Sequence, residues 1–220
     1  LSAGNIAFGL APRLNAAGRV HDAFAAYRLL LSDAPDEARA LAEELEAANQ
    51  QRQRLMAEAL ERARALVLAE EHLAKLLLVA GSEFPAGIVG LVAGRLAEEF
   101  HRPAFVVELG EEECRGSARS IDGFNVAEAL ASCRDLLIRF GGHAQAAGFT
   151  VAPVHLAGLH QRLLAFAGQQ LDTALLRPRL LVDAELPLSA VTWGLHDQLI
   201  RLAPFGHGNP TPVFLTRGVR

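Results

Sequence analysis

Residues 139–148, RFGGHAQAAG, form the stretch from which the rest of the chain is interpreted. Gly141 and Gly142 leave bare backbone amides and an unrestricted φ, so the chain can bring N–H groups close to an anion. His143 follows directly and can donate to that anion or carry charge near neutral pH. The alternative is a tight turn with one exposed histidine. Either way, we expect a loop here, followed by a strand over residues 148–151.

The composition excludes several classes of protein. The 220 residues are 51% hydrophobic, enough for one large domain or two small ones. The net charge is −4, so any contact with nucleic acid requires a local basic cleft. Cys114 and Cys133 follow no metal-ligand spacing and are expected to be reduced, buried thiols. No signal peptide or membrane-spanning run is visible, so we expect a cytoplasmic protein without membrane contact.

A long helix dominates the first third of the chain. Residues 33–37 carry acidic residues and a proline, which suit a helix N-terminus, and apolar residues then recur at helical spacing over residues 36–70. The middle, residues 49–54, is polar all round, which is typical of a helix that bridges two bodies. A coiled-coil arm is the alternative, although the apolar seam is broken.

Strands and helices alternate after Lys75. We predict strands at residues 76–80, 104–109 and 114–120, and helices at 87–100, 125–137 and 153–170. This order predicts an α/β fold with a mixed sheet flanked by helices. A β-rich module begins near residue 178, and its last strand pattern, residues 212–215, has nothing after it to pair with. We therefore expect a fragment cut at both ends.

The visible chemistry is anion binding rather than catalysis by a base, a nucleophile or a metal. The histidines are scattered and give no metal-ligand pattern, so no metal site is predicted. Arg13 and Arg19 flank Asn15 in a glycine-rich segment that we interpret as a loop; solvated arginines are the alternative. Ser117 and Arg119 lie on the third predicted strand.

Six motifs, in order, carry a resemblance to a known family. They are GLAPRLNAAGR at 9–19, ANQ at 48–50 with Arg52, GIVGLVAGR at 87–95, GSAR at 116–119, GGH at 141–143 with AG at 147–148, and PFG at 204–206 with GNP at 208–210. In these motifs the chain resembles the C-terminal part of the RecJ single-strand-specific exonucleases, which belong to the DHH phosphoesterase superfamily. One departure is Phe84-Pro85, where the family usually has tryptophan followed by histidine.

The resemblance implies a domain plan. Residues 1–32 would be the tail of a catalytic DHH domain, 33–72 a connecting helix, 73–172 a DHHA1 domain and 178–220 the start of an OB-fold domain. The family hydrolyses single-stranded DNA from the 5′ end with divalent metals, usually Mn²⁺, or Mg²⁺. The metal ligands would lie in a DHH domain that precedes this sequence, so the fragment alone is expected to be inactive.

The resemblance also implies site residues. Two residues are expected to act in catalysis by stabilising the scissile phosphate: His143 and Arg119. The residues expected to bind DNA are Arg13, Asn15, Arg19, Ser117, Arg119, Gly141, Gly142 and His143. Two other functions stay open: a DHH-family oligoribonuclease or cyclic-dinucleotide phosphodiesterase, and a non-catalytic scaffold that binds nucleic acid.

Overall fold

The structure is a computed structural model that describes residues 3–20, 22–206 and 208–219. Its α-helices are α1 (Ala11–Val20), α2 (Phe24–Leu31), α3 (Pro35–Leu68), α4 (Ala86–Phe100), α5 (Val126–Ala131), α6 (Leu156–Gln170) and α7 (Trp193–Ile200). Its strands are β1 (Leu77–Gly81), β2 (Ala104–Glu108), β3 (Cys114–Arg119), β4 (Leu137–His143), β5 (Ala146–Val151), β6 (Ala184–Glu185) and β7 (Phe214–Leu215). A π-helical segment, Asn5–Leu10, precedes α1. The chain divides into two compact units, Pro12–Arg177 and Leu1–Ala11 with Pro178–Arg220.

The larger unit is built on a mixed five-stranded sheet with the order β1-β2-β3-β5-β4. β1 and β2 are parallel and are joined through α4, whereas β3, β5 and β4 follow in antiparallel pairings. Parallel neighbours need a crossover connection, and α4 supplies it. The predicted α/β fold with a mixed sheet is confirmed.

Helices cover the sheet on both faces. On one face α3 and α4 bury a core that includes Phe84, Val92 and Val106. On the other, α5 and α6 bury a core around Phe105 and Phe149. β2 lies between the two cores, which explains why its sequence reads as a continuous apolar run.

The long helix α3 has 34 residues and starts at Pro35, with acidic residues in its first turn. Its N-terminal half buries Leu45 against α1 and α2, and its C-terminal half buries Ala63 and Val67 against α4. The polar stretch at residues 49–54 lies between these halves. Its first residue, Asn49, is buried.

The region after α5 departs from the sequence-based expectation. The helix predicted over residues 125–137 ends at Ala131, and residues 137–143 form strand β4. The Gly-Gly-His stretch is therefore not a loop, because it pairs in register with β5 from Phe140 to His143. The interpretation as a loop was wrong because glycines weigh against a strand locally, whereas pairing with β5 satisfies their backbone groups.

The smaller unit contains β6, α7 and β7. β6 and β7 are parallel, pairing Ala184 with Phe214 and Glu185 with Leu215. The partner of the last strand precedes it in the chain, by about 30 residues. Each of these two strands has two residues. Asn209 organises the turn before β7 by donating to the carbonyls of Leu202 and Pro204, both at 2.9 Å.

Candidate nucleic-acid interface

The arginines of residues 13–19 lie on a helix, which corrects the interpretation of this segment as a loop. Helical spacing places Asn15 and Arg19 on one face and Arg13 on another. Arg13 forms an ion pair with Glu46 of α3, so its charge is already compensated. Asn15 and Arg19 are exposed. α1 therefore offers the Arg19 guanidinium, rather than that of Arg13, to an anion.

Arg19 lies against the first turn of α4. Its Nη1 donates to the Gly87 carbonyl at 3.2 Å. A Cβ at Gly87 would lie 2.1 Å from the Arg19 carbonyl oxygen, so a side chain cannot occupy this position without moving α1. This glycine brings the end of α1 onto the N-terminus of α4, which has no side-chain cap and carries a positive end of the helix dipole.

Arg119, at the end of β3, lies beside the same helix one turn further on. Its Nη1 donates to Ser117 Oγ at 3.1 Å and to the Ala118 carbonyl at 2.9 Å. A Cβ at Gly90 would lie 3.0 Å from Ser117 Oγ and 3.2 Å from Arg119 Nη2. The small residue at position 90 thus leaves room for the guanidinium between α4 and the sheet.

The sheet register aligns the predicted residues of β3 and β4. Ser117 pairs with Gly148 of β5, which pairs with Gly141 of β4. Arg119 pairs with Ala146, which pairs with His143. Cross-strand partners point to the same face, so Arg119 and His143 share one face about 10 Å apart, two strand spacings. On β4 and β5 this face is open: His143, Gly141 and Gly148 are exposed.

We call this face of β3, β5 and β4, which is exposed on β4 and β5, the glycine shelf. Among the described residues, no atom lies within 4 Å of a Cβ placed at Gly141, so the surface above Gly141 is uncovered. Gly142 has another role, because its φ is +147° and its Cβ would lie 2.3 Å from the Ala146 carbonyl oxygen. Gly142 therefore allows the β4–β5 hairpin to close, and Gly141 leaves the surface free.

The hairpin turn after His143 is fixed at both of its residues. The Ala144 carbonyl accepts from the amide of Val126, and the Gln145 carbonyl accepts from the amide of Ser120, both at 3.0 Å. These contacts tie the turn to the start of α5 and the end of β3. They anchor the end of the hairpin that carries His143, on the same face of the sheet as Arg119.

Sequence reasoning missed two cations of the shelf. Arg115 pairs with Thr150, which pairs with Arg139, so both arginines lie on the same face as Ser117. Arg139 Nε donates to Thr150 Oγ1 at 3.0 Å, and its Nη2 lies 3.8 Å from Glu113. Two-residue alternation before Gly141 could have indicated Arg139, but only if residues 137–143 had been recognised as a strand.

Arg52 of α3 is the third missed cation. Its Nη2 donates to Asn49 Oδ1 at 3.0 Å. Burial of the guanidinium lowers the pKa of Arg52, and the positive charge of Arg19 lowers it further. Burial, and to a smaller extent the positive charge of Arg19, also lower the pKa of Arg119. Arg19 therefore lies within electrostatic reach of both, and we call Arg19, Arg52 and Arg119 the arginine cluster.

No carboxylate neutralises the arginine cluster within the described part of the chain. The ion pairs there involve other arginines, such as Arg13, Arg28 and Arg64. Partly buried cations that repel one another and lack a counter-ion favour binding of an anion. Guanidinium groups and backbone amides can hold phosphate oxygens.

Metal-binding groups and membrane-spanning helices are both absent from residues 3–20, 22–206 and 208–219. No group of three or more His, Cys, Asp or Glu side chains there could hold a metal ion. None of the helices in these ranges is long and apolar enough to cross a membrane.

Phe84, where the resemblance leads one to expect tryptophan, is fully buried in the core between the sheet and α4. His21 and His207 lie outside the described residues.

The structure brings most of the predicted site residues together and leaves two apart. Ser117, Arg119 and His143 share the shelf with Gly141, whereas Gly142 serves the hairpin. Arg19 joins them through the arginine cluster. Arg13 is paired with Glu46, and no described contact joins Asn15 to the shelf. These positions do not test the roles assigned to the residues.

Comparison with known proteins finds two domain models and several relatives that match this chain. A DHHA1 domain model matches residues 73–171, and a RecJ OB domain model matches residues 182–220. RecJ of Bacillus subtilis, a single-stranded-DNA-specific exonuclease by name, is 38% identical over 212 residues, which are 96% of this chain and 27% of the relative. The chain matches the C-terminal part of RecJ proteins.

Further RecJ proteins agree. RecJ of Salmonella typhimurium is 40% identical over 225 residues, covering 97% of this chain and 39% of that protein. The crystal structure of Thermus thermophilus RecJ with Mn²⁺ superimposes with a TM-score of 0.88 at 36% identity, covering 98% of this chain and 32% of that one. The sequence thus spans about a third of the length of these relatives and corresponds to their C-terminal part.

Proposed function

We propose that the glycine shelf and the arginine cluster bind single-stranded DNA as the substrate-holding part of a RecJ-type 5′→3′ exonuclease. The observation that carries the proposal is the alignment of Arg119 and Ser117 with Gly141 and His143 on one face of the sheet, which is exposed at Gly141 and His143. A single strand needs a groove with positive charge that tracks its backbone. The names of the relatives supply the substrate and the reaction.

The proposal divides the labour between two parts of a longer protein. A DHH domain preceding this sequence would hold Mn²⁺ or Mg²⁺, and the metals would activate water and polarise the phosphate. The residues of this chain would fix the strand and donate to the phosphoryl oxygens as charge develops. Crystal structures of Thermus thermophilus RecJ with Mg²⁺ and Mn²⁺ support metal use in the family.

In this plan residues 1–32 complete the DHH domain and residues 33–72 connect it to the substrate-binding domain at 73–172. Residues from 178 begin the OB-fold domain. Cytoplasmic location is part of the proposal, and the two free, buried cysteines, Cys114 and Cys133, are compatible with it.

The first test measures DNA binding by the 220-residue chain itself. We expect weak binding of a fluorescent oligodeoxythymidine that falls with added salt, because phosphate contacts release counterions. Arg119→Ala should weaken binding by about tenfold, the loss of one or two charged hydrogen bonds. Arg62→Ala, an exposed arginine on α3, is the matched control for net charge. Equal affinities of the two variants would contradict the proposed surface.

The second test concerns catalysis. The 220-residue chain should not hydrolyse single-stranded DNA with Mn²⁺, whereas the longer protein should. In the longer protein, His143→Ala and Arg119→Ala should each lower turnover by at least about tenfold, the lower end for loss of a transition-state donor. Hydrolysis by the short chain would refute the division of labour. If the longer protein binds DNA without hydrolysing it, the non-catalytic scaffold is favoured. If it prefers oligoribonucleotides or cyclic dinucleotides as substrates, the DHH-family oligoribonuclease or cyclic-dinucleotide phosphodiesterase is favoured.

A further inference from the structure

Arg52 is an unusual residue for a connecting helix. Its Nε is buried and has no hydrogen-bond partner in the part of the chain that the structure describes. Its Nη2 is held by Asn49, which is only 2% exposed. Leaving a buried charged donor unsatisfied is costly, so such a group calls for an explanation.

The neighbours of Arg52 increase that cost. Arg19 repels it, and burial already disfavours its charged form. Arg19 and Arg119 are cations themselves, held by the Gly87 carbonyl and Ser117 Oγ, so they add positive charge near Arg52 and cannot neutralise it. Asn49 offers Arg52 an uncharged oxygen where aspartate, of the same size, would have offered a charge. The helix therefore orients this cation and leaves it uncompensated.

We propose that Arg52, oriented by Asn49, is a phosphate-binding residue, so that α3 forms one wall of the anion site as well as linking two domains. The bound phosphate accepts from the free guanidinium hydrogens of Arg52 and relieves its repulsion with Arg19. The proposal rests on the proposed function only for the identity of the polymer that carries the phosphate. Phosphate binding by the cluster is measurable without DNA.

The first experiment uses the 220-residue chain and inorganic phosphate as the probe. Thermal unfolding is followed with increasing phosphate at constant ionic strength, because an anion that binds only the folded state raises Tm. We expect Tm to rise with phosphate in the unaltered chain and in Arg54→Gln, an exposed arginine two residues away on the same helix. In Arg52→Gln the rise should be lost. An undiminished rise in Arg52→Gln would overturn the proposal.

Asn49→Asp separates phosphate binding from a purely structural role. The substitution places a carboxylate where Arg52 Nη2 now meets an amide oxygen at 3.0 Å, and so supplies the missing counter-ion internally. We expect a higher Tm without phosphate and a smaller rise with it. A lower Tm and an unchanged response to phosphate would contradict the proposal. If Arg52→Gln fails to fold, Arg52→Lys keeps the charge, loses the planar fork and should respond only in part.

A DNA measurement keeps this proposal distinct from the proposed function. For single strands, loss of one phosphate contact lowers the slope of log K against log salt by about 0.7. Arg52→Gln should show that change and Arg54→Gln should not. If Arg52→Gln loses the phosphate response and no form binds DNA, phosphate binding by Arg52 is supported and the proposed function is rejected. If Arg52→Gln keeps the phosphate response and the chain binds DNA, the proposed function is supported and phosphate binding by Arg52 is rejected.

Discussion

The contact between Gly87 and Arg19 gives the sharpest prediction on stability. A Cβ at Gly87 would lie 2.1 Å from the Arg19 carbonyl oxygen, more than 1 Å inside an ordinary contact. The obstacle is backbone, so neither group can rotate away. Gly87→Ala must therefore push the end of α1 away from α4, and with it the Arg19 guanidinium.

Two opposing effects set the magnitude. Alanine stabilises a helix relative to glycine by about 0.5–1 kcal/mol. Overpacking against a fixed neighbour costs about 1–3 kcal/mol, and loss of the hydrogen bond from Arg19 to the Gly87 carbonyl costs about 1 kcal/mol more. Gly87→Ala should lower the free energy of unfolding by about 1–3 kcal/mol, and Tm by several degrees.

Gly94→Ala on the same helix is the control. Its Cβ would meet only Arg119 Cγ at 3.9 Å, an ordinary contact, so the gain in helix propensity should remain. Urea unfolding followed by circular dichroism should rank Gly94→Ala above the unaltered chain and Gly87→Ala below it. Equal stability of the two variants would refute the argument that position 87 fixes α1 against α4.

Other predictions follow from single contacts. Gly142→Ala should destabilise the chain by about 1–3 kcal/mol in urea unfolding, since its φ of +147° and a 2.3 Å approach to backbone exclude a side chain, whereas Gly141→Ala should be tolerated. Asn125→Ala should cost about 1 kcal/mol in the same assay, because the Asn125 side chain caps two amides at the start of α5; an unchanged midpoint would reject the cap. Burial lowers the pKa of His160, against a smaller opposing effect of Glu70. The unfolded chain therefore binds the proton first, and stability should fall as pH drops below the usual histidine pKa of about 6.5. This loss should be smaller in His160→Gln when Tm is measured against pH, and equal slopes would contradict it.

Sequence reasoning succeeded where the signal is local and repeated. Three elements can be recognised from their own residues alone: the start of α3 at Pro35, the apolar strand β2 and the glycine-containing helix α4. It failed over residues 137–143, whose two glycines indicate a turn and whose strand depends on pairing with β5. It also failed to select Arg52 and Arg139, because the first lies on a helix distant in sequence from the other cations and the second depends on an unrecognised strand.

The sequence by itself determined the fold class and the presence of a polar break in the long helix, because residue types and short-range periodicity carry that information. Only the tertiary structure decided which cations meet. Arg13 and Arg19 are six residues apart on one helix, yet one is neutralised by Glu46 and the other repels Arg52 and Arg119. The reason is physical: electrostatic energy depends on distance in space and on burial, and both are set by packing between segments distant along the chain.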